Sequence, residues 1–341
     1  MNPNQRRSRR NGKPTSSGHA KLTAVAKRRQ GQIGAAIDVG SNSIHLLVAT
    51  LGPPQTLVRR GLTTLDDRSV LLGLGEVVER LGRIPDEQRG QIMTGIAEYV
   101  LLARTVGAEA VTLLATDPLR RATDGSDVAA EVGVVTGLPL HVLSERTEAL
   151  LAFVGVTGGV PPSEPLVVFD IGGGSTQMSI YTPGEPLTLV PLAIGSARLT
   201  RGNVEHDPPT RDELDRLQRA AAAAAEQVPS LDWPANETPR AVFVGGTATN
   251  LARLGRLTRA GLKEDRRTLA KMTSAQVVEH FGVRPQRAVQ LAAGAAIVDA
   301  LLERTGLNEA LVSESSLRDG AIIVAARFGD SWPDRLSEMF R

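Results

Sequence analysis

The sequence predicts an α/β protein built from two duplicated domains that face each other across a cleft. Three observations carry this. Residues 37–50, IDVGSNSIHLLVAT, align with residues 169–182, FDIGGGSTQMSIYT, which places Asp38 on Asp170, Gly40 on Gly172, Ser43 on Ser175 and Thr50 on Thr182. The 132-residue offset is far beyond any solenoid period, so the repeat marks two domains rather than an array. Segments of strand and helix character alternate along both halves, the pattern of helix-covered sheets. A chain of 341 residues with 41% hydrophobic composition also has material for two cores.

The chain opens on a basic segment. Residues 1–32 hold nine Lys or Arg and no acid, so the remaining body carries about seven more acids than bases. Its Arg, Ser, Gly and Asn content reads as a disordered tail, and it has no apolar stretch of the secretory type. Such a tail either attracts a polyanion, nucleic acid or polyphosphate, or is a solvated extension with no dedicated partner.

Domain I is expected over 33–156. Each copy of the repeat is a strand, a tight polar turn and a second strand, which is a hairpin signature. After the first copy come an amphipathic helix at 86–106 and a strand at 109–116. A helix near 126–136, a strand at 139–143 and a helix at 144–156 follow. TGGVPPSEP at 157–165 reads as the interdomain linker. Domain II is expected over 157–330, with strands near 166–193, a long helix at 209–227 and a strand running into VGGTATN at 244–250. A helix at 284–306, a strand at 309–314 and a last helix at 316–328 complete it, the last one expected to rejoin domain I. Residues 331–341 read as a C-terminal tail.

Composition narrows the chemistry. There is no cysteine, which excludes disulfides, thiol nucleophiles and thiolate metal sites, and five scattered histidines show no zinc spacing. No apolar run is long enough to span a bilayer. Carboxylates, hydroxyls and a hard cation such as Mg²⁺ remain.

The turns show where that chemistry belongs. Gly172, Gly173 and Gly174 present backbone N–H groups with no side-chain shielding, which suits a phosphate. Ser175 and Thr176 add hydroxyls, and Asp170 at the strand end can hold Mg²⁺ directly or through water. The first-half turn repeats this logic with Asp38, Gly40, Ser41, Asn42 and Ser43, and Gly245-Gly246 forms a third such turn at a strand end. A single Gly-rich turn is usually a flexible hairpin tip, whereas three polar turns in one chain favour phosphate binding.

These motifs, together with VLSERTEALLAFVGV, LLATDPLRRA, LAIGSARLT, VGGTATNLA and LVSESSLRDG, resemble the exopolyphosphatase/guanosine pentaphosphate phosphohydrolase family over about residues 33–328. The resemblance implies the actin-like (ribonuclease H-like) superfold shared with the sugar kinases, in a short, two-domain form. It also implies a catalytic glutamate at Glu148, taking a proton from the water that attacks a terminal phosphate. On the residues alone, a carboxylate in the first turn of a helix is more readily a solvated helix face. Gly246 and Thr247 are further phosphate candidates, and Asp38, Asp170 and Gln177 the metal candidates. Arg120 and Arg198 match motif arginines and are candidate phosphate contacts, or else cap a helix or bridge domains.

The chain departs from the family pattern at four positions. Gln177 stands where the family usually has Glu, Thr147 where it has a second Glu, His45 where many relatives have Arg, and Gly73 where an Arg is expected. Gln177 keeps an acceptor oxygen but carries no charge. The reading is a cytoplasmic, Mg²⁺-dependent exopolyphosphatase, with a monovalent cation such as K⁺ as a further candidate, acting as a homodimer without membrane association. Three rivals stay open: guanosine pentaphosphate hydrolysis, a low-activity sensor of polyphosphate or alarmones, and an ATP-dependent kinase of the same superfold.

Overall fold

The computed structural model describes residues 31–53, 61–229, 231, 233 and 239–340. The basic segment read over 1–32 therefore lies outside the described residues, apart from its last two positions.

The fold is mixed α/β with two five-stranded sheets of identical topology. In the first half, β1 (Ile33–Val39), β2 (Ser43–Leu51), β3 (Leu62–Leu71), β4 (Ala110–Ala115) and β5 (Leu140–Val142) lie in the order β3-β2-β1-β4-β5. In the second half, β6 (Leu166–Ile171), β7 (Thr176–Tyr181), β8 (Thr188–Leu192), β9 (Arg240–Val244) and β10 (Leu311–Val312) lie in the order β8-β7-β6-β9-β10. In both sheets the first three strands form an antiparallel meander and the last two run parallel to the central strand. The hairpin registers also match. Asp38 pairs with His45, and Asp170 with Gln177, at the same offset as the sequence repeat.

Strand alternation sorts the side chains into an outer and an inner face. Ala35, Ile37 and Val39 of β1 point outward into a core closed by α1 (Leu74–Leu81), α2 (Asp86–Val106), α3 (Asp117–Arg121) and α4 (Gly125–Thr136). Val167, Phe169 and Ile171 of β6 point outward into the second half's core, where Phe169 stacks on Phe243. Ala36 and Val168 point inward, to a middle core shared by both sheets. By the same alternation Asp38 and Asp170 are inner-face residues.

Two helices fill that middle layer, α5 (Glu145–Thr157) and α13 (Leu317–Phe328). They cross at glycine: a Cβ on Gly320 would stand 1.9 Å from the Leu151 carbonyl oxygen, so only glycine permits this approach. Each begins at a serine cap. Ser144 accepts from the Thr147 N–H, and Ser316 forms a reciprocal box with Asp319. The start of α13 lies against the end of α5, at Ser316 and Gly155, and both helices present their first turns to one cavity.

The elements differ from the sequence reading in several places, three of them toward the C-terminal end. The helix expected over 284–306 is two helices, α11 (Pro285–Ala288) and α12 (Leu291–Arg304), because the chain breaks between them. The strand expected over 309–314 is shorter, Leu311–Val312, with Glu309 in a separate single bridge to Thr258. Residues expected as a C-terminal tail pack instead: Trp332, Leu336, Met339 and Phe340 are buried in the middle core, and Phe340 meets Phe153 edge-on. Their spacing is a helical stripe, a period easily overlooked in so short a segment. Among the described residues no helix is long and apolar enough to cross a membrane.

Candidate active site

The inner-face strand ends, the three glycine-bearing turns and the starts of α5 and α13 surround one cavity of about 380 Å³. The structure brings together Asp38, Gly40, Ser41, Asn42, Ser43, Glu148, Asp170, Gly172, Gly173, Gly174, Ser175, Gln177 and Gly246 on its walls.

The duplicated turns touch each other across it. A Cβ on Gly174 would lie 2.5 Å from Asp117 Oδ2 and 2.9 Å from Ser41 Oγ, so the bare backbone of the second turn is what allows the first half to close on it. Ser41 and Asn42 are themselves braced from behind. The Gly75 N–H donates to the Ser41 carbonyl at 2.8 Å, and the Leu72 and Gly73 N–H groups donate to the Asn42 carbonyl at 2.9 and 3.1 Å. Gly73 caps α1 at φ 63°, a left-handed conformation that an arginine there would adopt only under strain.

The three acids converge without adequate solvation. Glu148 and Asp170 are buried, and Asp38 is half-buried with its Oδ1 enclosed and lacking a hydrogen-bond partner. Burial, opposed by Arg120 and reinforced by Asp38 and Asp170, pushes the Glu148 carboxyl up to about 8. Burial pushes Asp38 up to about 7, against the field of Arg318, with Asp170 adding to the rise. It pushes Asp170 up to about 6, again opposed by Arg318. Arg120 Nη1 donates to Glu148 Oε1 and, at 2.6 Å, to the Leu143 carbonyl, which fixes the carboxylate's orientation.

These shifts have a consequence for stability. The same groups ionise near 4 when exposed, so from about pH 4.5 to 8 the folded state holds more protons than the unfolded one, and stability falls as pH rises. Glu213, depressed to about 2, loses its contribution only below that window, whereas the depressed His45 opposes the trend up to about pH 6.5, one group against three. Thermal midpoints of metal-free protein are expected to drop from pH 5 to pH 8, and Mg²⁺ to recover part of the loss at the upper end. A midpoint that rises through this window would contradict the clustering of the three acids.

The donor set fits a hard divalent cation. It offers carboxylate and amide oxygens, with one buried Asp38 oxygen lacking a partner. Among the described residues no three Asp, Glu or His side chains come close enough to hold a metal by themselves. The protein would therefore supply one or two carboxylates, the usual Mg²⁺ arrangement when phosphates and water complete the shell.

The four departures fall into place locally. Gln177 Nε2 donates to Ser175 Oγ at 2.8 Å, and its repeat-mate His45 shares a 2.6 Å hydrogen bond with Ser43 Oγ, so both halves carry the same serine pairing two residues apart. Burial and the fields of Arg318, Arg287 and Arg284 push His45 down to about 2, so it is neutral at any ordinary pH. Thr147 is outside the cavity, its hydroxyl bonded to Ser144 Oγ at 2.8 Å.

The two candidate arginines take the structural side of the alternatives the sequence left open. Arg120 and Arg198 do not line the cavity. Arg120 is committed to Glu148, and Arg198 Nη2 reaches Asp117 Oδ1 at 3.3 Å, so both orient acids. Thr247 is likewise set back, its hydroxyl bonded to Ser196 at 2.9 Å. The arginines on the walls are Arg253, Arg284, Arg287 and Arg318. Arg287 lies directly on the third turn, where a Cβ on Gly246 would stand 2.8 Å from its Nη2. Its Nη1 is buried without a partner, and burial, with Arg284 nearby, pushes the guanidinium down to about 10. It is still a cation at neutral pH, and among the described residues no acid forms an ion pair with it. Only Arg318 lies in a segment quoted for the resemblance, LVSESSLRDG, which was the one available signal.

Comparison with known proteins gives the family and the fold. Residues 56–326 match the model of the Ppx/GppA phosphatase family. The chain is 31% identical over 317 residues to a Mycobacterium tuberculosis protein named exopolyphosphatase 2, covering 86% of this chain and 98% of that one. It is 28% identical over 304 residues to exopolyphosphatase 1 of Mycobacterium leprae, covering 84% and 87%. The crystal structure of the Aquifex aeolicus member of the Ppx/GppA family superposes with a TM-score of 0.70 at 25% identity, covering 86% of this chain and 96% of that one.

Proposed function

Because the chain belongs to the Ppx/GppA phosphatase family, we propose that it is an exopolyphosphatase, releasing orthophosphate from the end of inorganic polyphosphate. The observation that carries this reading is the pairing of opposites in one cavity. Two aspartates stand at the duplicated strand ends and Glu148 at a helix start, and Arg287, with a buried Nη1 that lacks a partner, stands on the third turn. An anionic chain bridging these groups would satisfy both.

In this reading the terminal phosphate sits between the turns at Gly40–Ser43 and Gly172–Ser175, with Arg287 and Arg284 on its anionic oxygens. Glu148, held at one oxygen by Arg120, accepts a proton as water's oxygen bonds to phosphorus and the bridging P–O bond breaks. Asp38 and Asp170 would hold Mg²⁺, which when bound neutralises charge on the phosphoryl oxygens. Most of the rate acceleration then comes from positioning and fixed charge, because phosphoryl transfer asks little covalent chemistry of the protein. The names of the mycobacterial relatives favour polyphosphate over guanosine pentaphosphate.

The test is phosphate release from long-chain polyphosphate, guanosine pentaphosphate and ATP, with and without Mg²⁺. Mg²⁺-dependent release from polyphosphate first and fastest is the expected result. Preference for guanosine pentaphosphate would reassign the substrate, and tight polyphosphate binding with no turnover would make the chain a sensor.

A further inference from the structure

The strand β3 is the exposed edge of the first sheet, and it overhangs the cavity. Its residue Ser69 is paired with His45, which is paired in turn with Asp38. Side chains directly opposite one another on neighbouring strands lie about 5 Å apart, so this row is a polar path from that carboxylate out to the sheet edge. Asp67 and Ser69 are two apart and share that face. Opposite them stand two of the cavity's arginines: Arg284 Nη1 donates to Ser69 Oγ at 3.4 Å, and Arg318 Nη1 to Asp67 Oδ1 at 3.3 Å. Arg318 is also the cation whose field reaches Asp38, Asp170 and His45. It therefore stands between these acids and the rim, and an acid of the rim already holds it.

We propose that Asp67 is a specificity-determining residue of this cleft, its carboxylate occupying Arg318 where a substrate phosphate has to bind. The inference rests on the reading of the cavity as a polyphosphate site. A phosphate entering along the row competes with Asp67 for Arg318 and is repelled by it. A chain of phosphates brings enough charge to win that competition, since the Asp67–Arg318 pair is partly open to solvent, with 38% of the Asp67 side chain exposed. A single phosphate brings less. Asp67 thus raises the charge threshold for entry and favours chains over isolated phosphate.

The test compares wild type, Asp67→Asn and Asp67→Glu by calorimetric titration with inorganic tripolyphosphate and with orthophosphate at several salt concentrations, alongside turnover of polyphosphate. Asp67→Asn is expected to bind tripolyphosphate about three- to tenfold more tightly, the scale of one exposed ion pair and one rim charge. Its salt dependence should steepen, its preference for tripolyphosphate over orthophosphate should narrow, and KM should fall with kcat unchanged. Asp67→Glu should behave as wild type. Unchanged or weaker tripolyphosphate binding by Asp67→Asn, or an unchanged preference, overturns the inference while leaving the proposed function standing. Failure of the wild type to bind tripolyphosphate at all overturns both.

Discussion

Glu148→Gln is expected to lower kcat for phosphate release by about 10²- to 10⁴-fold, the usual contribution of a general base. The carboxylate sits in the first turn of α5, 3% exposed, with Arg120 bonded to one oxygen. A glutamine oxygen can accept that same bond, and Arg120 also keeps its 2.6 Å bond to the Leu143 carbonyl, so the geometry is retained while basicity is lost. No buried charge is created, because a carboxyl held up to about 8 is replaced by a neutral amide. The thermal midpoint should therefore shift by no more than a few degrees. Tripolyphosphate should bind as well or better, since one acid facing a polyanion is removed. In the wild type kcat/KM should rise with pH through about 8 as the base ionises, and this rise should be absent from the variant. A folded Glu148→Gln protein with wild-type turnover would remove Glu148 from the mechanism.

The fold was legible where the sequence repeats itself. Asp38 and Asp170 mark equivalent strand ends, and a one-residue slip of either hairpin would move every inner-face side chain outward, so the repeat and the register had to agree. β3 and α1 gave no such sign. The strand reads LTTLDDRSVL, and at the sheet edge most of its residues face solvent or the cleft, so no alternating apolar face survives. The C-terminal residues failed for the opposite reason. Trp332, Leu336, Met339 and Phe340 do form a stripe, but one too short to outweigh the expectation that chain ends are loose.

The acids of the site were legible and its cations were not. Strand ends and a helix start are local features, so Asp38, Asp170 and Glu148 could be found from motifs and the repeat. Arg253 follows α8 (Gly245–Leu251), Arg284 and Arg287 flank the start of α11, and Arg318 opens α13. Only the topology brings these separate segments to one wall. Arg120 and Arg198 matched their motifs, yet each stands beside a carboxylate, Glu148 and Asp117, and serves the site by orienting it. A motif arginine near an acid in space is an ion-pair partner first, and sequence spacing does not reveal that neighbour.

Arg287→Met is expected to stabilise the free protein and to cost about 10- to 150-fold in kcat/KM, and the opposite signs are what make it diagnostic. In the free protein Arg287 is half-buried, its Nη1 is enclosed with no hydrogen-bond partner, and the charge that acts on it is another cation, Arg284. A buried unpaired charge is a net cost to folding, so an apolar side chain of similar reach along the same path should raise the thermal midpoint. In the complex the situation reverses. A phosphate oxygen beside Gly246 would accept charge-assisted hydrogen bonds from this guanidinium, each worth about 1.5–3 kcal/mol, and their loss corresponds to the stated fall. Scanning calorimetry with and without tripolyphosphate separates the two effects. The ligand should raise the wild-type midpoint strongly and that of Arg287→Met only weakly, the variant starting from the higher value. If the substitution lowers the midpoint and leaves kcat/KM intact, Arg287 is a packing residue whose charge is neutralised by something other than substrate. The phosphate path would then have to run along Arg284 and Arg318 alone.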